Sequence, residues 1–349
     1  MTRRLRRLAA VHALAIAVAL LAAGPASSGA TGHSGAAPAS SPRAHAAAKS
    51  PRAHRAASYS AGIGDESSQM FADPMWQQLH IKIARYIAPY DAVAHRDSLA
   101  NAGTWIRAAE AQHVQILVSF YHSEHTPTRL PSVSSYQRDV QKFVKLFPHV
   151  RQYQSWDEAN RGQVPHAFSS PSAVAAAQYY QALLRVCKGC TVIGLDVLDQ
   201  ARIGPTLSYI EEFKREIGHL RTVMPAIWGL HDYSDVNRLE SWRTREVIRA
   251  LGGQVWLTET GGIVQFGGAY PNRHGSGLTR AAKVVNYTFS VASSQSRIKR
   301  LYLYNWTGGV ASARFDAGLT DYRHRPRAGY VVVCRRLHAP KCRVKVSSR

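Results

Sequence analysis

Short runs of apolar, β-branched and aromatic residues alternate along this chain with longer stretches whose apolar residues recur every three or four positions. The short runs predict eight strands, over residues 59–64, 80–87, 114–121, 150–156, 191–196, 225–231, 254–259 and 299–306. Helical periodicity covers 96–112, 135–147, 172–186, 206–219, 238–251 and 278–293, whereas the connection 65–79 has room only for a short helix.

Regular alternation of strands and helices predicts a parallel sheet, because each crossover between parallel strands needs a returning helix. Eight such units over residues 59–325 favour an α/β fold of the (β/α)8 TIM-barrel type, built as a single domain. A doubly wound sheet is the alternative. It favours a glycine-rich turn after the first strand, and the sequence Gly62-Ile63-Gly64-Asp65 lacks the third glycine. Residues 326–349 add a last helix, Gly329 to Leu337, and a basic tail.

The N-terminus has the pattern of a secretory signal. Four arginines precede an apolar stretch from Leu8 to Ala23, and small residues follow it. We therefore expect a signal peptide over 1–28 and secretion, with an uncleaved membrane anchor as the alternative. Residues 29–58 contain only Ala, Ser, Gly, Pro, Thr, His, Lys and Arg and predict a flexible basic linker.

The formal net charge of +22 at first indicates a nucleic-acid partner. However, residues 1–58 carry eight basic and no acidic residues, and residues 297–349 carry thirteen basic and two acidic ones. The middle of the chain is nearly balanced, and the linker has no aromatic residue to stack on a base, so we expect no nucleic-acid partner. We expect a monomer whose basic ends contact anionic cell-wall material.

The four cysteines form two pairs that are close in sequence, Cys187 with Cys190 and Cys334 with Cys342. Because disulfides form in exported proteins, we expect one disulfide within each pair. A redox-active Cys-x-x-Cys and a zinc site of all four cysteines are the alternatives. The first pair follows a predicted helix instead of opening one, and the spacing between pairs matches no zinc finger.

Two glutamates stand where strands end. The fourth strand is followed by Trp156-Asp157-Glu158-Ala159-Asn160, and the seventh ends Trp256-Leu257-Thr258-Glu259-Thr260-Gly261-Gly262. A barrel places its catalytic groups at the carboxyl ends of the strands. Paired carboxylates about 5–5.5 Å apart are what retaining cleavage of a glycosidic bond requires.

The first of these motifs resembles the W-N-E-P-N signature of glycoside hydrolase clan A, and the second resembles the nucleophile motif of that clan. The resemblance covers residues 59–325 in strand order and implies Glu158 as general acid/base and Glu259 as nucleophile. It also implies a carbohydrate substrate, net retention of configuration, and no cofactor or metal. The further substrate-site residues that it implies are Arg85, Tyr121, His122, Asp157, Asn160, His231, Tyr233 and Trp306.

Three of these have specific expected roles in the resemblance. Tyr233, in the clan's H-x-Y pattern with His231, hydrogen-bonds the nucleophile. Arg85 keeps the nucleophile ionised, and Trp306 forms an aromatic floor under the cleaved sugar. Asp157 departs from the clan, which has Asn before the acid/base, and this leaves the identity of the sugar open.

Because of this departure at Asp157, a non-catalytic carbohydrate-binding protein with the same barrel is an alternative hypothesis. A transglycosylase that uses the same two glutamates is a further alternative. His122-Ser123-Glu124-His125 has a metal-like spacing, but no paired histidines on the first strand support a metal-dependent hydrolase.

Overall fold

The structure is a computed structural model that describes residues 59–162, 170–340 and 342–347. The predicted signal peptide and linker lie outside these residues. Within the described part of the chain, no helix is both long and apolar enough to cross a membrane.

Eleven strands are present in the described residues, and nine of them form one parallel sheet in the order β5-β4-β3-β2-β1-β10-β8-β7-β6. The short β9 and β11 pair separately as an antiparallel ribbon. The strands are β1 Ser60–Gly64, β2 Ile83–Pro89, β3 Gln115–Tyr121, β4 Gln152–Gln154, β5 Thr191–Ile193, β6 Asp196–Leu198, β7 Ile227–His231, β8 Gln254–Thr260, β9 Gln265–Phe266, β10 Ile298–Tyr304 and β11 Phe315–Asp316.

The predicted fifth strand is divided into β5 and β6, and these two halves join the ends of the sheet. β5 pairs with β4, whereas β6 pairs with β7. Gly194, between the halves, donates its N–H to the carbonyl of Ile227 at 3.2 Å, and Gly229 donates to Leu195 at 2.8 Å. The sheet therefore closes on itself through residues 191–198. This is the predicted TIM barrel with eight strand positions, and the doubly wound alternative is wrong.

Helices follow the barrel strands on the outside. They are α1 Pro74–Gln77, α2 Arg96–Ala111, α3 Val133–Leu146, α4 Ala173–Val186, α5 Ile203–His219, α6 Tyr233–Val236, α7 Trp242–Leu251, α8 Ser276–Ser294 and α9 Ala328–Arg336. As predicted, only a short helix and a 3₁₀ turn separate β1 from β2. α9 packs on α8, and its Tyr330 hydroxyl lies 3.3 Å from the carbonyl of Met75 in α1, which closes the helical ring.

The interior of the barrel is filled by a layer of large apolar side chains from five strands: Ile83, Leu117, Ile193, Trp256 and Tyr302. Because side chains alternate along a strand, residues two positions further on also point inward. This phase directs Arg85 of β2 and Thr258 of β8 into the barrel, where both contact Asp196.

β8 departs from simple alternation beside Thr258. Leu257 pairs with Leu230 of β7, but the next partner of β7, His231, pairs with Glu259, so β8 has one extra residue there. A similar register shift occurs between β8 and β10. Such a bulge places two consecutive side chains on one face. Thr258 and Glu259 therefore both point into the barrel, although strand phase alone would direct Glu259 outward.

Both predicted cysteine pairs are confirmed. Cys187 with Cys190, at the end of α4, and Cys334 with Cys342, after α9, each have their Cα atoms 5.5 Å apart and their sulfur atoms at bonding distance. The described residues contain no free cysteine, so the alternative of a zinc site made of four thiolates does not apply to the disulfide-bonded state.

Candidate active site

Glu158 lies in the turn after β4, with only 2% of its surface exposed. Its φ is +44°, in the left-handed region, which is unfavourable for a residue with a Cβ and is often found at functional sites. The next residue, Ala159, donates its N–H to the carbonyl of Asp196 at 2.9 Å. The turn is thus tied to the neighbouring β6.

Asn160 holds this turn in place. Its amide nitrogen donates to the carbonyl of Leu198 at 3.0 Å, and its amide oxygen accepts from the Leu198 N–H at 2.8 Å. The same nitrogen also bonds to the hydroxyl of Thr206 at 2.9 Å. In the structure both ends of the amide of Asn160, one of the predicted substrate-site residues, position the loop that carries Glu158.

Glu259 is 2% exposed and has a partner at each carboxylate oxygen. Arg85 donates to Oε1 at 2.7 Å, and the hydroxyl of Tyr233 donates to Oε2 at 3.3 Å. Both contacts agree with the roles expected for these two residues. The weaker bond leaves Oε2 as the less committed oxygen.

The two glutamates meet at one nitrogen. Nδ1 of His231 lies 3.2 Å from Oε1 of Glu158 and 3.7 Å from Oε2 of Glu259. The two oxygens are therefore at most about 7 Å apart, compatible with the separation of about 5–5.5 Å between the carboxyl groups of retaining glycosidases. Residues that are 101 positions apart in the sequence, at the ends of β4 and β8, thus come together inside the barrel.

Asp196, which sequence reasoning did not identify, organises the floor of this site. Its Oδ2 lies 2.8 Å from Nε2 of His231 and 3.7 Å from the guanidinium of Arg85, while its Oδ1 accepts from Thr258 at 2.5 Å. A signal was present: an acid that ends a buried apolar strand needs a partner.

These contacts shift the pKa values of the buried groups in opposite directions. Burial alone would lower the pKa of His231, but the carboxylates of Asp196 and Glu259 raise it well above its usual range. For Asp196, burial acts to raise the pKa, yet His231 and Arg85 hold it below the ordinary value. The pair is therefore an imidazolium and a carboxylate at neutral pH.

Asp157 takes the position where the clan motif has Asn. It forms a close ion pair with Arg85, and Ser119 donates to its Oδ1 at 3.4 Å. Burial raises the pKa of Asp157 well above its ordinary value, and the carboxylate of Glu259 adds to this effect against the opposing charge of Arg85. For Glu259 burial also raises the pKa, while His231 and Arg85 act to lower it.

Tyr121 and His122 lie at the end of β3, on the Glu158 side of the site. The hydroxyl of Tyr121 accepts from Arg161 at 2.8 Å, and Arg161 lies 3.7 Å from Oε2 of Glu158. Arg161, three positions after Glu158, is a second residue that was not identified as part of the site. Burial lowers the pKa of His122 to about 4, so this ring is neutral at physiological pH.

The structure places Trp306 outside this cluster. The indole is fully buried, donates to Asp73 at the start of α1 at 3.1 Å, and packs edge-on against Tyr330 of α9. It therefore packs behind the barrel wall, which does not fit the expected floor under a sugar. Tyr304, the last residue of β10, lies on the site side and clusters with Tyr233 at the mouth of the barrel. Its hydroxyl donates to Glu66 at 2.9 Å.

Asp157, His231 and Glu259 have ligand atoms within 4.8 Å of one another, as a metal site would require. The guanidinium of Arg85, however, bonds to both acids. It supplies the positive charge that a metal ion would otherwise bring, so the donor set does not fit a cation. His122 and His125 do not converge either, since His125 stacks on His95 with ring centres 3.8 Å apart.

No protein-family profile matches the chain, and no curated protein matches it. Solved structures do resemble it. A psychrophilic glycoside hydrolase family 10 endo-beta-1,4-xylanase superposes with a TM-score of 0.61 at 12% identity, covering 79% of this chain and 96% of the xylanase.

Two further structures are similar over most of the chain. GH5_18 from Streptomyces cattleya, in complex with GlcNAc, has a TM-score of 0.56 at 13% identity and covers 82% of both chains. Xylanase 10B from Thermotoga petrophila RKU-1, in complex with xylobiose, has a TM-score of 0.56 at 13% identity, covering 80% of this chain and 93% of its own. At such identities the likeness shows the fold. The chain has the (β/α)8 barrel found in glycoside hydrolases of families 5 and 10.

Proposed function

We propose that this protein is a retaining glycoside hydrolase in which Glu259 is the nucleophile and Glu158 the general acid/base. The observation that carries the proposal is the meeting of these two carboxylates at Nδ1 of His231, 3.2 Å from Glu158 and 3.7 Å from Glu259. The fold, with its carbohydrate-bound neighbours, supports a carbohydrate substrate. The signal-like N-terminus supports a secreted enzyme.

In the first step, Oε2 of Glu259 attacks the anomeric carbon while the protonated Glu158 gives its proton to the leaving oxygen. The bond from carbon to the leaving group breaks as the bond to Glu259 forms, which produces a covalent glycosyl-enzyme. Arg85 holds Oε1 of Glu259 at 2.7 Å, so the other oxygen is directed toward the substrate. The hydroxyl of Tyr233 donates to that attacking oxygen and orients it.

In the second step, Glu158 is a carboxylate and removes a proton from water as the water attacks the anomeric carbon. This restores the proton of Glu158, releases Glu259 and gives net retention. Two cations stabilise the carboxylate between the steps. His231 lies 3.2 Å from one oxygen of Glu158, and Arg161 lies 3.7 Å from the other.

A 2-fluoro glycoside with an activated leaving group tests the nucleophile, because the fluorine slows the second step and the covalent intermediate accumulates. We expect mass spectrometry of a proteolytic digest to place the sugar on Glu259, using a panel of glucosides, xylosides, mannosides and galactosides. The label should disappear in Glu259→Ala. It should persist in the control Glu211→Ala, which removes an exposed carboxylate from α5.

Asp157 keeps the non-catalytic carbohydrate-binding protein as the alternative, because a buried acid replaces the amide that the clan motif has at this position. Absence of labelling across the panel, together with measurable carbohydrate binding that Tyr304→Ala weakens, would favour this binder over the hydrolase. Labelling with formation of longer products in place of free sugar would favour a transglycosylase.

A further inference from the structure

The outer face made by α8, α9 and residues 342–347 carries unopposed positive charge. From position 260 to the end, the sequence has sixteen Lys and Arg residues but only two acidic side chains, Asp316 and Asp321. Both acids are buried, and each is neutralised by an arginine. Arg327 pairs with Asp316 at 2.7 Å, and Arg325 pairs with Asp321 at 2.6 Å.

Residues 342–347 are fixed to the barrel at both ends. The disulfide between Cys334 and Cys342 ties their start to α9. At their end, Ser347 donates its N–H to the carbonyl of Pro326 at 2.7 Å, in the loop that precedes α9. The segment thus runs back along α9 toward the carboxyl end of the barrel.

The side chains of this segment alternate in direction. Cys342 and Val344 pack against the hydrophobic core, whereas Arg343 and Lys345 are exposed. A chain that is anchored at both ends and packed on one side presents its charges at fixed positions. The backbone that carries Arg343 and Lys345 is therefore already ordered, and binding a ligand there costs only the freedom of the two side chains.

α8 and α9 pack against each other, and both expose basic side chains. Arg336 of α9 donates to the side chain of Asn286 at 2.9 Å and to the hydroxyl of Ser290 at 3.2 Å, both on α8. Lys283 lies one turn before Asn286 on α8, and Arg335 is exposed beside Arg336. With Arg323 in the β10–α9 loop, six exposed basic residues are carried by these adjoining elements, and we call them the basic strip: Lys283, Arg323, Arg335, Arg336, Arg343 and Lys345. No carboxylate of the described residues forms an ion pair with any of the six.

We propose that the basic strip binds a linear anionic polysaccharide outside the active site. Like charges close together repel one another and contribute nothing to folding, but they attract a polyanion through the release of its counterions. The six residues 342–347 span about 20 Å when extended. Arg323 stands at the end of the barrel where Glu158 and Glu259 lie, so a polymer on the strip extends toward the proposed catalytic site.

The side chains around the strip favour a polysaccharide over a nucleic acid or a membrane surface. The exposed aromatic residue of the β10–α9 loop, Tyr322, lies under the guanidinium of Arg323 at 5.1 Å, so one face of its ring is already covered and it is a poor platform for stacked nucleic-acid bases. A membrane surface would need several protruding apolar side chains, and within residues 342–347 Val346 is the only exposed apolar one. The choice of a polysaccharide as the ligand also rests on the proposed function. The positions of the basic residues in the strip do not depend on that function.

The probe is polygalacturonate immobilised on beads, with fully methyl-esterified polygalacturonate as its neutral counterpart and a 20-base-pair DNA duplex as the competing polyanion. The full chain carries Glu259→Gln throughout, so that no polymer is cleaved. The strip variant combines Lys283→Gln, Arg335→Gln, Arg343→Gln and Lys345→Gln. The control variant makes the same change in charge on α3, α4 and α5, with Lys142→Gln, Lys145→Gln, Arg185→Gln and Arg215→Gln, all exposed.

At low salt we expect the strip variant to bind polygalacturonate about tenfold more weakly than the parent, and the control variant to change by less than about twofold. The parent should lose affinity more steeply with rising salt than the strip variant. The proposal for the strip is overturned if the strip variant and the control variant lose the same affinity for polygalacturonate. It is also overturned if the parent binds the methyl-esterified polymer as tightly as the charged one. Tighter binding of the DNA overturns the polysaccharide as partner.

If the strip variant with four substitutions has a lowered Tm, the double variant Arg343→Gln with Lys345→Gln replaces it. We expect the double variant to bind polygalacturonate about threefold more weakly than the parent. These outcomes are independent of labelling by the 2-fluoro glycosides. If the protein is labelled but does not bind polygalacturonate, the proposed activity stands and the proposal for the strip fails. If it binds polygalacturonate through the strip but is not labelled, the proposal for the strip stands and the proposed activity fails.

Discussion

Nε2 of His231 lies 2.8 Å from Oδ2 of Asp196, and both side chains are fully buried. Asp196 begins β6, the half-strand that closes the barrel, and His231 ends the adjacent β7. The contact fixes the ring so that its other nitrogen, Nδ1, faces Glu158 and Glu259. The charge of His231 therefore depends on a residue that contacts neither the acid/base nor the nucleophile directly.

Replacement of Asp196 by Asn should lower the pKa of His231, because the neighbouring carboxylate is among the causes that raise it well above its ordinary value. A raised pKa means that His231 stays charged up to a higher pH, so the alkaline limb of kcat/KM should move to lower pH in the variant. Titration of the imidazole by NMR measures the shift.

Asp199→Asn is the matched control for this prediction. Asp199 is also buried, but it accepts from the backbone N–H groups of Ser234 and Asp235, at 2.8 and 2.7 Å. The Asp199→Asn substitution should leave the pKa of His231 unchanged. An unaltered titration of His231 in Asp196→Asn would show that Asp196 does not set this charge.

Glu158→Ala should slow the hydrolysis of substrates with poor leaving groups by about 10²–10⁴-fold, because these need protonation of the departing oxygen. Activated aryl glycosides leave without a proton, so formation of the glycosyl-enzyme should slow much less. The ratio of kcat/KM across a series of leaving-group pKa values measures this difference. An equal loss for all leaving groups would contradict the acid/base role.

Tyr304 and Trp306 should respond differently to truncation. Trp306→Ala removes a fully buried ring, so we expect the free energy of unfolding to fall by about 3–5 kcal/mol. Tyr304→Ala removes the ring at the mouth of the barrel and should raise KM about tenfold. Chemical denaturation and steady-state kinetics of both variants make the comparison, with Tyr304→Phe as the control that keeps the ring. A larger rise in KM for Trp306→Ala would restore Trp306 as the sugar floor.

Asp232 should make stability depend on pH. It is fully buried, and although its Oδ1 accepts from Thr260 at 2.5 Å, its Oδ2 has no hydrogen-bond partner among the described residues. Burial raises the pKa of Asp232 from 3.8 to about 7. The unfolded chain therefore loses the proton at lower pH than the folded protein does, and the resulting penalty grows as pH rises from about 4 to 7.

Asp232→Asn removes that titration and keeps an acceptor for Thr260. The free energy of unfolding of the parent, relative to the variant, should fall by about 2–4 kcal/mol between pH 4 and pH 8. Urea denaturation at several pH values measures the difference. A gap that does not change with pH would mean that Asp232 is ionised in the folded protein throughout this range.

The periodicity of the chain was sufficient to predict the strand order and the TIM barrel, because each strand and helix of a (β/α)8 barrel buries its own apolar face. The predicted boundaries differ where tertiary contacts end the pairing. The fourth strand extends only over Gln152–Gln154, and the fifth is divided around Gly194. Both deviations lie where the closing strands pass beside the turn that carries Glu158.

The sequence by itself determined that Glu158 and Glu259 stand at strand ends, because local motifs specify strand ends. Tertiary structure decided what surrounds them. The extra residue in β8 turns Glu259 inward, which strand phase does not predict. Asp196 and Arg161 enter the site because β4, β6 and β7 converge there, and Trp306 leaves it because α1 and α9 offer its ring a buried position. Side-chain direction near a bulge or a loop depends on neighbours distant in sequence, and that information is absent from any single segment of the chain.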